Sequence, residues 1–378
     1  MAKYCYFPIL KTRPAEVNAY DMLDSNIKEE ILPIIEMTGE LGYTYSQKCK
    51  DEKCRGMRRP GDINKKIPKI LDFMENRRFI LDITDDPSLK YDGLSSLGSG
   101  LLNPEQGYKN WIDFLSQNET FKKAVIPTIQ FDTKYMDEVE KQIHILDENF
   151  DFIALKLPVP QQVANNTENI LPQIIKYVTD RIQNDKLFVI LDFGYILTNR
   201  INVQLQGLDM SVLKALIPVS SSFPSNVTKY GKTSGHIDII ENKISENVKQ
   251  QLGAKVFHGD FSSIHPIRYE MGGGGWYPRI DFIERDSKTQ RPLYYRFFRS
   301  EERNTSSEYV ALANNTITSS FYRPINEIKT EGDLRIKRKS EGTQEGRSPS
   351  YWIATRSNIY MTMQYLYLRK QSDAFLFL

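Results

Sequence analysis

The chain is poor in the residues that announce a familiar chemistry. It carries three cysteines, Cys5, Cys49 and Cys54, among 378 residues. So odd and sparse a count supplies no disulfide framework and fits a reducing, cytoplasmic setting. Cys49 and Cys54 sit in "CKDEKC", with no second Cys or His pair nearby to complete the roughly four ligands of a zinc site. They read as free thiols in a charged loop. No H-E-x-x-H, G-x-S-x-G or phosphate-binding glycine loop occurs, which removes the usual metalloprotease, serine-hydrolase and P-loop readings. "SSSFP" (220–224) reads as a strand-end turn. No apolar run reaches the roughly 18–20 residues that span a bilayer, so no membrane partner is expected. "MAKYCYFPILKTRP" lacks the pattern of a secretory signal. Neither charge sign dominates, with 50 Lys+Arg against 48 Asp+Glu and a net of +2. That argues against a globally basic nucleic-acid coat and leaves local basic patches open.

What is present is alternation. Short apolar runs rich in Ile, Val and Phe recur at 4–10, 31–38, 78–84, 124–131, 150–158, 187–194, 216–223 and 254–261. Near-continuous apolar runs of this length suit strands buried on both faces. Between them lie segments of helical period, such as "INKKIPKILDFMEN" and "IDIIENKISENVKQQLG", and a further helix is expected near 203–215. Strand–helix alternation predicts parallel βαβ units. Eight strands with seven helices in about 260 residues predict an α/β fold of the TIM-like (β/α)8 barrel type over 1–263. The absence of a glycine-rich loop sets an open doubly wound sheet behind it.

Residues 264–378 break the alternation and predict a C-terminal α+β module packed on the barrel. "IRYEM", "WYPRIDFIER" and "PLYYRFFRS" read as antiparallel strands, the first two joined by "GGGG" at 272–275. A helix follows near "SSEYVALANNTI". "KTEGDLRIKRKSEGTQEGRSPS" reads as a polar, mobile segment, and "YWIATRSNIYMTMQYLYL" as apolar enough to pack.

In a parallel barrel the strands' C-terminal ends face the site. Glu36, Asp82, Lys156, Asp192 and Asp260 are thereby predicted to meet at one mouth, with Asp85 and Asp86 just beyond Asp82. Lysine among acids can clamp them as ion pairs or act with a shifted pKa. Lys156, Asp192 and Asp260 are the catalytic candidates. Asp82, Asp192 and Asp260 are the candidates for holding Mg²⁺, with substrate phosphate completing its shell. Glu36, Asp82, Ser222, Arg268 and Trp276 are the ligand-binding candidates. The same charges can instead form a buried ion-pair layer, and Asp260 after Gly259 can be a turn or cap aspartate. The 38–63 loop carries Arg55, Arg58 and Arg59, which can hold phosphate or simply face solvent. His265, Arg268, Trp276, Arg279, Tyr294, Tyr295 and Arg296 mix cations with aromatics, as in a single-strand nucleic-acid surface or a half-exposed sheet. "RIKRK" (335–339) offers phosphate a less specific attraction.

Taken in order, "YFPILKTRPAEVNAYDML", "IKEEILPIIEMT", "LDFG", "SSFP", "GDF" followed by "IRYEM", and "YWIATRSN" resemble the beta protein family of bacteriophages and bacteria, from residue 4 to about 363. The resemblance implies a role in phage–host conflict, most directly in bacterial antiphage defence. It also implies a protein partner, either nuclease-like from the same operon or a phage component. It places Glu36, Lys156, Asp192, Ser222, Pro224 and Asp260 on family landmarks. Two departures stand out. "GHIDIIENK" lacks the expected arginine, and Asn358–Ile359 replaces an expected histidine pair. Two functional expectations follow: a recognition module whose barrel mouth binds a ligand or partner, and a metal-dependent phosphodiester or nucleotide hydrolase.

Overall fold

The computed structural model describes residues 4–39, 44–45, 58–59, 66–89, 92–159, 170–198, 205, 207–267, 276–322 and 330–376. Eight parallel strands form one sheet: β1 (Tyr6–Lys11), β2 (Ile34–Met37), β3 (Phe79–Ile83), β4 (Val125–Pro127), β5 (Ile153–Pro158), β6 (Leu187–Tyr195), β7 (Leu213–Ser221) and β8 (His258–Asp260). Their order is β4-β3-β2-β1-β8-β7-β6-β5, so the last strand lies beside the first. The two ends of the sheet meet just past β4. There Thr128 bridges Ala154 of β5, and the Ile129 N–H donates to the Ala154 carbonyl at 2.8 Å. The result is a nearly closed, barrel-like sheet.

Strand parity decides which side chains face inward. Phe7 and Ile9, Ile34, Ile80, Ile126, Ala154, Phe188 and Ile190, Ala215, Ile217 and Val219, and Phe261 form one apolar cluster inside the sheet. Their neighbours one residue along, among them Leu10, Ile35, Leu81, Leu155 and Val189, join the larger cluster shared with the helices. Gly259 belongs to the inward set. A Cβ there would lie 2.6 Å from Val219 Cγ1 and 2.9 Å from the Phe7 carbonyl oxygen, so the close approach of β8 to its neighbours requires glycine. This glycine serves packing inside the barrel and not the tight turn that the Gly-Asp pair predicts.

Helices Pro14–Asp21, Lys66–Met74, Glu105–Ser116, Met136–Asn149, Leu171–Thr179 and Glu241–Leu252 lie between the strands. The expected helix over 203–215 is absent from the described residues there: β7 starts at Leu213 and pairs with β6 from Leu187 onward. The helix predicted from Ile237 also starts later. Ser234–Asp238 is a strand, and it pairs antiparallel with Pro292–Arg299, which pairs in turn with Arg279–Arg285. The C-terminal module's sheet therefore takes one strand from the chain before β8. The expected "GGGG" connection and most of "IRYEM" lie outside the described residues.

The polar stretch read as mobile is a helix, Glu331–Ser340. Thr330 caps it by accepting from the Asp333 N–H at 2.9 Å, while the Thr330 hydroxyl donates to the Asp333 carboxylate at 2.8 Å. Ile336 is fully buried, and Gly332 lets the helix approach Ile359 and the Thr355 carbonyl, where a Cβ would come within 2.6 Å. A long helix, Pro349–Leu376, runs between module and barrel. Arg335 donates to Asn18 Oδ1 at 2.9 Å, and Asn358 donates to the Ala19 carbonyl at 3.3 Å, fixing the module to the first helix. No helix among the described residues is long and apolar enough to cross a membrane.

Candidate functional site

The inward parity that places isoleucines in the barrel interior delivers charge at the strand ends. Two residues beyond Ile9, Ile34, Ile80, Ala154 and Ile190 come Lys11, Glu36, Asp82, Lys156 and Asp192. Lys156 is the hub. Its ammonium lies 2.8 Å from Glu36 Oε1, 2.8 Å from Asp82 Oδ2 and 3.1 Å from Asp85 Oδ2, and its side chain is 5% exposed. Lys11 donates to the other Glu36 oxygen at 2.7 Å and to Thr84 Oγ1 at 3.3 Å. Asp82 Oδ1 accepts from the Thr128 hydroxyl at 2.7 Å, and Gln130 Nε2 donates to the Thr128 oxygen at 2.8 Å. Lys11, Thr84 and Thr128 were not among the predicted site residues. The available signal was the inward parity, Lys11 and Thr128 two residues beyond Ile9 and Ile126 and Thr84 four beyond Ile80.

These environments split the carboxylates. Burial opposes ionisation of Glu36, yet Lys11 and Lys156 hold its carboxyl at about 2. Burial also disfavours the charge on Lys156, but Asp82 and Glu36 outweigh it and raise the ammonium well above its ordinary range. For Asp192 burial wins: its carboxyl is pushed up to about 6 against the pull of Lys156. Asp192 Oδ1 accepts from the Gly194 N–H at 2.8 Å, and Gly194 has φ +61°, which glycine adopts without strain. Above this floor opens a cleft of about 710 Å³, walled by Phe131, Phe193, Tyr195, Phe261 and His265. That falls within the roughly 300–1,000 Å³ of small-molecule sites.

Four of the five predicted mouth residues thus come together, and Asp260 does not. Parity turns it outward from β8, where it is 1% exposed. Its carboxylate takes four donors: Tyr6 OH at 2.7 Å and the Ser262 N–H at 2.8 Å on Oδ1, and His258 Nε2 at 2.9 Å and Tyr360 OH at 3.0 Å on Oδ2. His258 Nδ1 lies 2.8 Å from Ser245 Oγ. The row Ser245–His258–Asp260 has the residue types of a hydrolytic triad. It lies instead in the seam between barrel wall and module, beside a recess of about 90 Å³. The predicted Mg²⁺ set of Asp82, Asp192 and Asp260 is therefore not assembled. Lys156 stands between the carboxylates that do meet, and no three His, Cys, Asp or Glu side chains among the described residues are placed to hold a metal ion.

The remaining candidates disperse. Ser222 donates through its N–H and hydroxyl to Glu241 at 2.8 and 2.9 Å, away from the cleft. Trp276 stacks on Tyr309 with ring centroids 5.7 Å apart. Arg268 and Arg55 lie outside the described residues, and Arg58–Arg59 pair with Thr44–Tyr45 as a short ladder. The described members of the cation–aromatic set do not form one face. Tyr295 is buried against Glu241, Arg279 pairs with Asp281 at 2.9 Å, and Arg296 pairs with Glu284 at 2.5 Å. Among the described members of the set, only His265 reaches the mouth, its ring 4.7 Å from that of Tyr195. In "RIKRK", Arg338 pairs with Glu331, and Lys339 donates to the Thr343 and Glu345 carbonyls.

The sequence profile described as Beta protein matches residues 6–365. The chain belongs to the Beta protein family. It is 29% identical over 377 residues to "Protein beta" of Enterobacteria phage P4, covering 96% of this chain and 93% of that protein. Among solved structures, the C-terminal domain of a protein from Desulfitobacterium hafniense DCB-2 that carries a chitinase name covers 97% of this chain and 99% of that one. It does so at 10% identity and a TM-score of 0.30, too low to carry an argument. In this member of the Beta protein family, the Asn358 that stands where a histidine was expected is engaged in packing. It accepts from the Gly332 N–H at 2.9 Å.

Proposed function

We propose that this Beta protein family member is a recognition component in phage–host conflict, acting in antiphage defence, and that its barrel mouth binds the ligand that it senses. In this reading the nearly closed sheet is a TIM-type (β/α)8 barrel spanning about 1–263. The module over 264–378 serves a protein partner, nuclease-like or phage-derived. The observation that carries the proposal is Lys156, paired directly with Glu36 and Asp82 beneath an open 710 Å³ cleft. Such pairing fixes the floor in one geometry and leaves the space above it for a guest.

A hydrolytic reading keeps one supporting observation. Asp192 at about 6 beside Glu36 at about 2 gives two carboxylates of opposite protonation tendency, as acid–base catalysis requires. Its metal-dependent form loses Asp260 to the seam.

The test is phage plating on cells that carry the wild-type chain or Asp192→Asn, with folding of the variant checked by circular dichroism. Loss of protection by the folded variant is expected. Full protection would remove the mouth from the function, and a folded chain with no effect on any phage would remove the defence role.

A further inference from the structure

The cleft is short of donors and rich in acceptors. Among its described lining residues, five carboxylates face two lysine ammonium groups. Lys11 and Lys156 are both committed to Glu36, and Lys156 to Asp82 and Asp85 as well. Two acceptors remain without a donor among the described residues. One is Asp192 Oδ2, since only the Gly194 N–H reaches this side chain, at Oδ1. The other is Gln130 Oε1. Gln130 is 9% exposed, and its amide orientation is set because Nε2 donates to the Thr128 hydroxyl and toward Asp82. Phe131, Phe193, Tyr195 and Phe261 line the same cleft; Phe193 and Phe261 are buried in its walls, and Phe131 and Tyr195 are half-buried. Net negative charge, free acceptors and aromatic walls favour one class of guest. An anion would meet uncompensated carboxylates. A neutral apolar guest would leave the acceptors unpaired. A cation satisfies the acceptors and lies favourably against aromatic faces.

We infer that the mouth takes a small organic cation, an amine or guanidinium on a short apolar or aromatic body, with its donors on Asp192 and Gln130 and its body against Phe131 and Tyr195. This rests on the recognition reading above and names its ligand class. Asp85, whose side chain is 75% exposed, stands at the rim as a second charge for guests with two cationic ends.

The experiment is calorimetric titration of the full chain with matched probes. Benzylamine is set against benzyl alcohol, agmatine against 1,4-butanediol, and inorganic phosphate and adenosine monophosphate serve as anions. The expected result is saturable binding of at least one cation and none of its neutral partner. That binding should weaken at least tenfold in Asp192→Asn and about threefold in Asp85→Asn, a rim change that leaves the Lys156 pairs with Glu36 and Asp82 in place. Binding of the alcohols or anions in place of the cations would overturn the cation class while leaving a ligand site at the mouth. Absence of binding by every cation at millimolar concentration would overturn it too. The recognition reading is judged separately by the plating assay, so loss of protection in Asp192→Asn without cation binding would discard only the ligand class.

Discussion

Two buried carboxylate centres lie on opposite faces of the same barrel wall, and they are built differently. At the mouth, Glu36 and Asp82 are neutralised by lysine, and Asp192 keeps one oxygen unclaimed under an open cleft. In the seam, Asp260 has no lysine or arginine partner among the described residues; two tyrosine hydroxyls, one backbone N–H and His258 fill its acceptor sites. Burial and the charge of Asp260 push Tyr6 and Tyr360 well above the ordinary tyrosine range, so both remain donors. A carboxylate whose acceptor sites are filled joins pieces of structure, whereas one left short can accept a guest. The seam joins β1, β8 and the long helix; the mouth leaves acceptors open.

That contrast can be broken at either end. The largest effect is expected for Asp260→Asn, which leaves His258 and two hydroxyls badly matched in a sealed space. We expect a loss of about 3 kcal/mol in denaturant unfolding, with weakened docking of the long helix seen by hydrogen exchange. Lys156→Met should cost less, about 2 kcal/mol, because cleft water reaches the carboxylates that it exposes. The carboxyl of Glu36 should titrate above its present value of about 2 in the variant, readable by NMR. Tyr360→Phe removes one donor of four and should cost about 1–2 kcal/mol.

Asp192→Asn should cost nothing. The folded-state pKa of Asp192, about 6, lies above the ordinary aspartate value, so the folded protein binds this proton more readily than the unfolded chain. Asp192 therefore opposes folding above pH 6, and that penalty is relieved as pH falls from about 6 toward about 4. Unfolding curves should show Asp192→Asn at least as stable as wild type at pH 7.5, with the difference narrowing at pH 5.

Much of the barrel was legible because strands buried on both faces leave continuous apolar runs, and seven of the eight predicted runs start within about three residues of a strand. The same property hid the faces. In "AKVFHGDF" each parity mixes apolar residues with a polar or charged one, Val256 with His258 on one and Phe257 with Lys255 on the other, so the pattern did not turn Asp260 outward. Its partners Tyr6 and Tyr360 are 254 and 100 residues away. Lys156, in contrast, is the lone charge in "ALKLP", and its place at the mouth could be read directly. The Ser234–Asp238 strand was missed because its pairing partner lies in the module. The Glu331–Ser340 helix was missed because a single buried isoleucine gives little periodicity, although Thr330 with Asp333 is a capping signature that could have marked it.

The most direct test is to unfold Asp192→Asn and Asp260→Asn side by side at pH 7.5 by chemical denaturation. The prediction is unchanged or higher stability for Asp192→Asn and a loss of about 3 kcal/mol for Asp260→Asn. Equal destabilisation of both would mean that the mouth carboxylate is as structural as the one in the seam, and would contradict the assignment of binding to the mouth.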